Sequence, residues 1–265
     1  MTPPRRPASD QLFEDKTIVI TGATSGIGAA TAIAFAERGA TVVVSGRNAT
    51  EGERILDLVR RAGGRGIFVQ VDLRERDAAE HLIGKAVDAC GRVDFAFNNA
   101  GIFDRVNEFH TYEDGLWDEM INVNLSAVFR CMRAEISAML LGAGGVIVNN
   151  ASVVAHRGSE RAGPAYVAAK HGVLGLTRQA ASEYATRGIR VNAVSPGPTR
   201  TAVAEPLVAQ GPEAVRLAMT RLNPTGELID PVDIAEGVVF LCSDAARMIN
   251  GSELVFDGGQ LSKLS

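Results

Sequence analysis

Two residues able to do chemistry sit one helical turn apart in the stretch Ala162-Gly-Pro-Ala-Tyr166-Val-Ala-Ala-Lys170. If the segment is helical, this i, i+4 spacing places the phenol and the ammonium on one face. A free phenol titrates near ~10, too high for efficient base work at neutral pH, and a neighbouring positive charge lowers that value. The pair is therefore either a proton-transfer device or an ordinary packed tyrosine with a lysine snorkelling beside it. Other polar positions bear on the choice. Ser152 lies just past an apolar run, in Asn149-Asn-Ala-Ser152. Asn124 sits within "WDEMINVNLSAVF", a helical pattern in which asparagine is a poor interior residue and marks a kink or a buried polar task. Its neighbour Asn122 is a rival for that task. Asn98-Asn99-Ala100-Gly101 ends a further apolar run, with Asn99 placed to brace backbone and the small residues leaving room for a ligand.

These groups must be held by alternating elements. Strand candidates are "KTIVIT" from Lys16, "TVVVSG" from Thr41, "GIFVQV" from Gly66, "VDFAFN" from Val93, "GVIVNN" from Gly145, "IRVNAV" from Ile189 and "ELVF" from Glu253. Most are apolar without alternation, as strands covered on both faces are. Helical patterns fill 26–38, 50–62, 75–90, 114–141, 163–187 and 232–243. This rhythm predicts an α/β fold, a doubly wound parallel sheet with helices on both faces. Residues 198–230, with five prolines at 198, 206, 212, 224 and 231 in and beside them, are the least regular piece and read as a lid over a substrate. Residues 1–14 read as a mobile arm ahead of a single domain over 15–265.

After the first strand comes Thr21-Gly22-Ala23-Thr24-Ser25-Gly26-Ile27-Gly28. Gly22 suits a tight turn, Gly26 lets backbone approach a pyrophosphate, and Gly28 permits close helix–strand packing. The helix N-terminus behind them offers free N–H groups to an anion. The spacing is G-x-x-x-G-x-G, and no lysine follows as in a P-loop. The second strand ends in Ser45-Gly46-Arg47-Asn48, without the acid that would accept hydrogen bonds from ribose hydroxyls. Arg47 suits a 2′-phosphate instead, which favours NADP(H) and leaves NAD(H) as the alternative. Asp72 and Leu73, ending the third strand, are placed for the adenine. Asp72 also reads as an N-cap for the helix that follows.

Taken together, TGATSGIG, NNAG, the helical Asn124, the strand-end Ser152, YVAAK and "RVNAVSPGPTRT" resemble the classical short-chain dehydrogenase/reductase family over residues 16–260. The resemblance implies a Rossmann-type sheet of about seven strands and a catalytic set of Asn124, Ser152, Tyr166 and Lys170. Tyr166 would be the general acid/base, with Lys170 and an oxidised nicotinamide lowering its pKa. Lys170 would also bond the nicotinamide ribose, Ser152 would hold the substrate oxygen, and Asn124 would anchor a water in a proton relay. The glycine loop, Asn99, Ala100 and Gly101 would line the cofactor, with Pro196 and Gly197 at the nicotinamide and Thr199 and Thr201 bonding its carboxamide and the pyrophosphate. The two threonines also read as helix caps. "LVFDGG" implies a homotetramer, built on the helices at 114–141 and 163–187 and the C-terminal segment. A secondary alcohol/ketone couple follows. The shared motifs do not separate 3-oxoacyl-carrier-protein reductase, glucose dehydrogenase and general alcohol dehydrogenase. A non-catalytic dinucleotide-binding regulator on the same scaffold would be expected to carry a damaged set.

The expected walls of a substrate pocket are Ile102 and Phe103, Val153 to His156, Gly197 and Pro198, and Leu207, Val208, Leu217, Met219 and Leu222 of the lid. Arg157, Glu160 and Arg161 suit its rim, and His156 reads as a loop histidine with its own hydrogen bond. Bulk properties agree with a soluble enzyme of small molecules. The 265 residues are 46% hydrophobic with a net charge of -4 and no basic patch, which argues against nucleic acid. No apolar run approaches a membrane span of roughly 18 residues. Cys90, Cys131 and Cys242 have no metal-ligand spacing and suggest a reduced, cytoplasmic setting.

Overall fold

The computed structural model describes residues 12–104 and 108–263. Among these described residues, seven strands build one parallel sheet: β1 Thr17–Ile20, β2 Thr41–Gly46, β3 Arg65–Gln70, β4 Phe95–Asn98, β5 Gly145–Asn150, β6 Ile189–Pro196 and β7 Glu253–Phe256. Their spatial order is β3-β2-β1-β4-β5-β6-β7, with every neighbouring pair parallel. The order reverses between β1 and β4, so a crevice opens beyond the carboxyl ends of these two strands.

The apolar runs are unbroken because successive side chains enter two different cores. Ile18, Ile20, Val42, Val44, Phe95 and Phe97 face one core, while Val19, Val43 and Ala96 between them face the other. The first is closed by α1 (Gly26–Ala36), α2 (Ala49–Arg61) and, later in the chain, the helix Pro231–Cys242. The second is closed by α3 (Ala78–Cys90), by a long helical segment between β4 and β5, and by the helix Pro164–Tyr184.

That long segment is not the single α-helix expected over 114–141. It consists of α4 (Asp114–Ile121), a π-helical turn at Asn122–Ser126 and α5 (Ala127–Leu140). Asn124 lies in the turn, fully buried. The chain continues through α6 (Pro164–Tyr184), α7 (Glu205–Val208), α8 (Pro212–Thr220) and α9 (Pro231–Cys242). Within 198–230, Val215, Met219 and Leu228 form a small core of their own.

The expected mobile arm needs correction at its inner end. Residues 1–11 lie outside the described residues, but Phe13 is 3% exposed. Its ring stacks on Phe35 at 4.8 Å and meets Phe95 edge-on at 5.0 Å. Burial of a large aromatic surface holds this position against the sheet.

One buried acid carries a stability prediction. Glu135 on α5 is 1% exposed and accepts a 3.0 Å hydrogen bond from Asn98 Nδ2. Burial pushes its carboxyl from an ordinary 4.5 up to about 8, against the lowering effect of the Asn98 bond. Between those values the folded chain holds a proton that the unfolded chain has released. Stability therefore falls as pH rises through that window. Glu135→Gln keeps the shape and removes the ionisation. It is expected to flatten the decline in Tm between pH 4.5 and 8. An unchanged slope in thermal melts across that range would show that Glu135 is not its source.

Candidate active site

The crevice begins at the glycine loop. Gly22 and Gly26 have φ of +62° and +54°, the left-handed region that favours glycine. A Cβ on Gly28 would lie 2.4 Å from the Gly22 carbonyl oxygen and 2.6 Å from Asn99 Nδ2. Asn99 Nδ2 donates to the Thr21 and Gly22 carbonyls at 3.0 Å each, and its Oδ1 accepts from Asn150 at 3.1 Å. Asn99 thus ties the loop to β4 and β5. Ser25 precedes α1 in extended conformation and its side chain makes no cap bond, which leaves the helix N-terminus open to an anion.

A cleft of about 330 Å³ runs from this loop along the strand ends. Thr24, Ser25, Gly26 and Ile27 form one side, and Ala100 and Gly101 the floor. Arg47, Asp72 and Leu73 stand at the far end, with Arg47 exposed. Arg74 also lines this end. Its backbone N–H donates to Asp72 Oδ1 at 3.0 Å, and its guanidinium pairs with Asp72 and with Glu119 at 3.2 and 2.8 Å. Burial raises the Asp72 pKa, but the bonds from Arg74 and the charge of Arg47 outweigh it and hold the carboxyl below its usual range. Asp72 is not the cap of α3, which begins at Ala78 after Asp77. It closes the turn onto Arg74 instead.

A second cavity, about 530 Å³, shares Ile27, Asn99, Gly101, Ile102, Thr201 and Val203 with the cleft and continues it. Asn124, Ser152, Tyr166 and Lys170 all line it. Asn122 does not. Its side chain bonds the Arg74 carbonyl and Arg130, each at 3.0 Å. Asn124 Oδ1 accepts from the Ile102 N–H at 3.0 Å and Nδ2 donates to the Met120 carbonyl at 3.1 Å, so the π turn aims its amide at the loop after β4. Lys170 Nζ donates to the Asn150 carbonyl at 2.6 Å and lies 5.5 Å from the centroid of the Tyr166 ring. Phe103 meets that ring edge-on at 5.0 Å.

The protein environment moves both titrating groups toward neutrality. Burial lowers Lys170 to about 8. Burial also raises Tyr166 to about 12, opposed by a hydrogen bond with Ser152 and reinforced by the charge of Asp104. The lowered phenol expected from the Tyr–Lys spacing is therefore not a property of the protein groups alone, because desolvation is the largest effect on either side chain.

Pro196 ends β6, and Gly197 N–H donates to the Phe256 carbonyl at 2.7 Å. Thr199 Oγ1 donates to the Gly197 carbonyl at 2.9 Å. Thr201 precedes a short 3₁₀ turn at Ala202–Ala204 without a side-chain cap bond, and its methyl carbon lies 3.1 Å from where a Gly26 Cβ would stand.

Residues 22–260 match a family model described as Enoyl-(Acyl carrier protein) reductase. A cyclohexanol dehydrogenase from Acinetobacter sp. (strain SE19) is 41% identical over 251 residues, 95% of this chain and 97% of that one. An A-factor type gamma-butyrolactone 1'-reductase (1S-forming) from Streptomyces virginiae is 41% identical over 249 residues, 94% and 96% of the two chains. The solved structure of a putative 2-deoxy-d-gluconate 3-dehydrogenase from Agrobacterium tumefaciens, with bound NADP, superposes with a TM-score of 0.85 at 36% identity, covering 95% of this chain and 98% of that one. The chain belongs to the short-chain dehydrogenase/reductase family.

In this short-chain dehydrogenase/reductase, the cavity walls follow part of the expected set. Ile102, Phe103, Val153, Val154, Gly197 and Pro198 line the cavity, as do Leu207, Met219 and Leu222 from the segment above it. Leu217 does not. It is 60% exposed, two residues from the buried Met219 and so on the opposite side of α8. Val208 packs within the segment's own small core. Arg161 reaches the cavity. Arg157 bonds the Gln260 carbonyl at 3.1 Å, and His156 bonds Glu253 at 2.8 Å. Two positioning groups carry no signal of their own in the sequence. The Asn150 carbonyl holds Lys170, and a backbone oxygen has no residue signature. Asp104, 5% exposed, accepts from Tyr112 and from the Gly163 N–H, which ties the loop after β4 to the start of α6.

Proposed function

We propose that this protein interconverts a secondary alcohol and a ketone with a nicotinamide dinucleotide, NADP(H) in preference to NAD(H). The observation that carries the reading is the convergence of Ser152, Tyr166 and Lys170 in one cavity that continues a glycine-loop cleft. The dinucleotide fits the residues present: positive-φ glycines, an uncapped helix N-terminus and a floor at Gly101 where a Cβ would meet Asn124 Oδ1 at 2.8 Å. Gly22, Gly26 and the α1 N-terminus would take its pyrophosphate, Arg47 a 2′-phosphate, Asp72 and Leu73 its adenine, Pro196 and Gly197 its nicotinamide, and Thr199 and Thr201 the carboxamide and pyrophosphate. When bound, the nicotinamide supplies or receives the hydride at its C4.

The chain's own groups then handle the proton. Ser152 orients the substrate oxygen toward Tyr166. Held protonated by burial, Tyr166 is the acid of ketone reduction. Its action as a base in alcohol oxidation relies on cationic charge near the phenol, and Lys170 is fixed nearby by the Asn150 carbonyl. Asn124 belongs to the relay that returns the proton, through a water held at its amide. The segment 198–230 acts as the substrate lid, and α4, α5, α6 and the C-terminal segment carry the interfaces of a cytoplasmic homotetramer.

The substrate we favour is a compact alicyclic alcohol or ketone. The cavity is walled by Val153, Leu207, Met219, Leu222 and Leu228, and one relative is named for cyclohexanol. A panel of cyclic ketones and secondary alcohols, offered with each cofactor and followed by absorbance of the reduced nicotinamide, tests the reading. Turnover concentrated on 3-oxoacyl thioesters or on glucose would redirect the substrate class. No turnover by any member, with cofactor binding intact, would favour the regulator.

Arg47→Ala is expected to weaken NADP(H) binding roughly tenfold, since a charge-assisted contact to phosphate is lost. NAD(H) affinity should move little. Equal NADP(H) affinity in the two proteins, by fluorescence titration, would remove Arg47 from the 2′-phosphate site and leave Arg74 as the basic group at that end.

A further inference from the structure

A buried side-chain oxygen without a hydrogen-bond partner is costly, and a side chain that carries one at a cavity wall gains by turning it toward a ligand. Two such atoms belong to residues lining the cavity of Tyr166: Asn150 Oδ1 and Gln260 Oε1. Asn150 is part of the reacting centre, since its carbonyl holds Lys170 and its Nδ2 braces Asn99. Gln260 has no such employment. It lies beyond β7, outside every motif that defines the reaction, yet it lines the substrate cavity and not the dinucleotide cleft.

The turn that carries Gln260 is firmly built. The Asp257 carboxylate, 9% exposed, accepts the N–H groups of Gly259 and Leu261 at 2.8 and 2.7 Å. Gly258 and Gly259 supply the positive φ values that this tight path needs, +59° and +86°. The Gln260 N–H bonds the Asp257 carbonyl, and the Gln260 carbonyl accepts from Arg157 at 3.1 Å. A Cβ on Gly197 would stand 3.2 Å from both Gln260 Oε1 and the Asp257 Cα, so the glycine leaves room for the amide. Backbone bonds thus fix the residue while its side-chain oxygen, buried against Gly197, has no partner among the described residues.

We infer that the Gln260 carboxamide is a specificity-determining group that hydrogen-bonds a second oxygen of the substrate, a hydroxyl or carbonyl distinct from the one that Ser152 and Tyr166 engage. A half-turn of its terminal torsion exchanges oxygen for nitrogen, so one side chain meets a hydroxyl as acceptor or a carbonyl as donor. Val153, Leu207, Met219, Leu222 and Leu228 of the same lining offer such an oxygen no partner. The inference rests on the oxidoreductase reading above.

The test compares oxidation of cyclohexanol with oxidation of the 1,2-, 1,3- and 1,4-cyclohexanediols by the wild type, Gln260→Leu and Gln260→Glu. In the wild type, at least one diol should exceed cyclohexanol in kcat/KM. Gln260→Leu should lower that diol-to-cyclohexanol ratio about tenfold, chiefly through KM, the loss expected for an unpaired hydrogen-bonding group. Gln260→Glu keeps an oxygen acceptor and should retain most of the ratio. Gln260→Met serves if the leucine variant does not fold. An active wild type that prefers no diol overturns the proposal, as does a ratio unmoved by Gln260→Leu. A change confined to cofactor affinity would place the amide on the nicotinamide and also overturns it. Absence of turnover on ring alcohols and ketones, 3-oxoacyl thioesters and glucose alike would instead fail the oxidoreductase reading beneath it.

Discussion

Tyr166→Phe is expected to lower kcat about 10³-fold, the scale of a lost general acid/base, while the variant still binds reduced cofactor. The substitution removes one oxygen and leaves the ring, which packs edge-on against Phe103. Stability should therefore change little, and the loss should fall on kcat more than on KM. The remaining turnover should lack the pH dependence that a titrating phenol gives the wild type. Burial holds Tyr166 at about 12, so the proton is present for ketone reduction at neutral pH. Oxidation needs the phenolate and should rise with pH in the wild type. Single-turnover absorbance changes of the nicotinamide, with cofactor affinity measured separately by fluorescence, check both parts. Normal turnover in Tyr166→Phe would remove the phenol from the reaction. Lost cofactor binding would show that the hydroxyl's main work is positional.

Much of the scaffold behind Tyr166 was legible because it rests on residue type and period. The strands "TVVVSG" and "ELVF" coincide with β2 and β7 residue for residue. The unbroken apolar runs predicted two covered faces, and the sheet has them. The break at Asn122–Ser126 was harder to read, since apolar periodicity carries across one π turn and only the misplaced Asn124 hinted at it. Phe13 was missed for a related reason: a single aromatic in a polar stretch has no period, although it can fill a gap beside Phe35 and Phe95. At the site, Asn124, Ser152, Tyr166 and Lys170 stand out in the sequence by chemistry of their own, and the structure brings them to one cavity, whereas the groups placed around them do not stand out. The Asn150 carbonyl, Asp104 and Arg74 make their contacts, and Gln260 reaches the cavity, through placement, which depends on strands and loops distant in sequence meeting at the carboxyl edge of the sheet. The raised Tyr166 pKa is another such case. The Tyr–Lys spacing speaks for a charge effect, whereas burial, a tertiary property, dominates.

Gly28→Ala is expected to abolish measurable cofactor binding and to lower Tm by several degrees, because one methyl group would strike three fixed parts of the site. Its Cβ would lie 2.4 Å from the Gly22 carbonyl oxygen, 2.6 Å from Asn99 Nδ2 and 3.0 Å from the Ala23 Cα. Two of these are backbone. The third is a side chain held by the Thr21 and Gly22 carbonyls, so none yields cheaply. Relief requires α1 to back away from β1 or the loop to open, and either displaces the N-terminal amides from the pyrophosphate position. Loss of the Asn99 brace would also reach Asn150, whose carbonyl fixes Lys170. The variant should therefore lose turnover even at cofactor concentrations that partly restore binding. Gly84→Ala is the matched control. It lies in α3 with nothing within 4 Å of the new Cβ, and alanine there should stabilise the helix by about 0.5–1 kcal/mol. Differential scanning fluorimetry with and without NADPH separates the cases. Wild type and Gly84→Ala should both gain Tm from the cofactor, and Gly28→Ala should gain none. A full shift in Gly28→Ala would mean that the loop is softer than its hydrogen bonds imply and that the glycine serves packing alone.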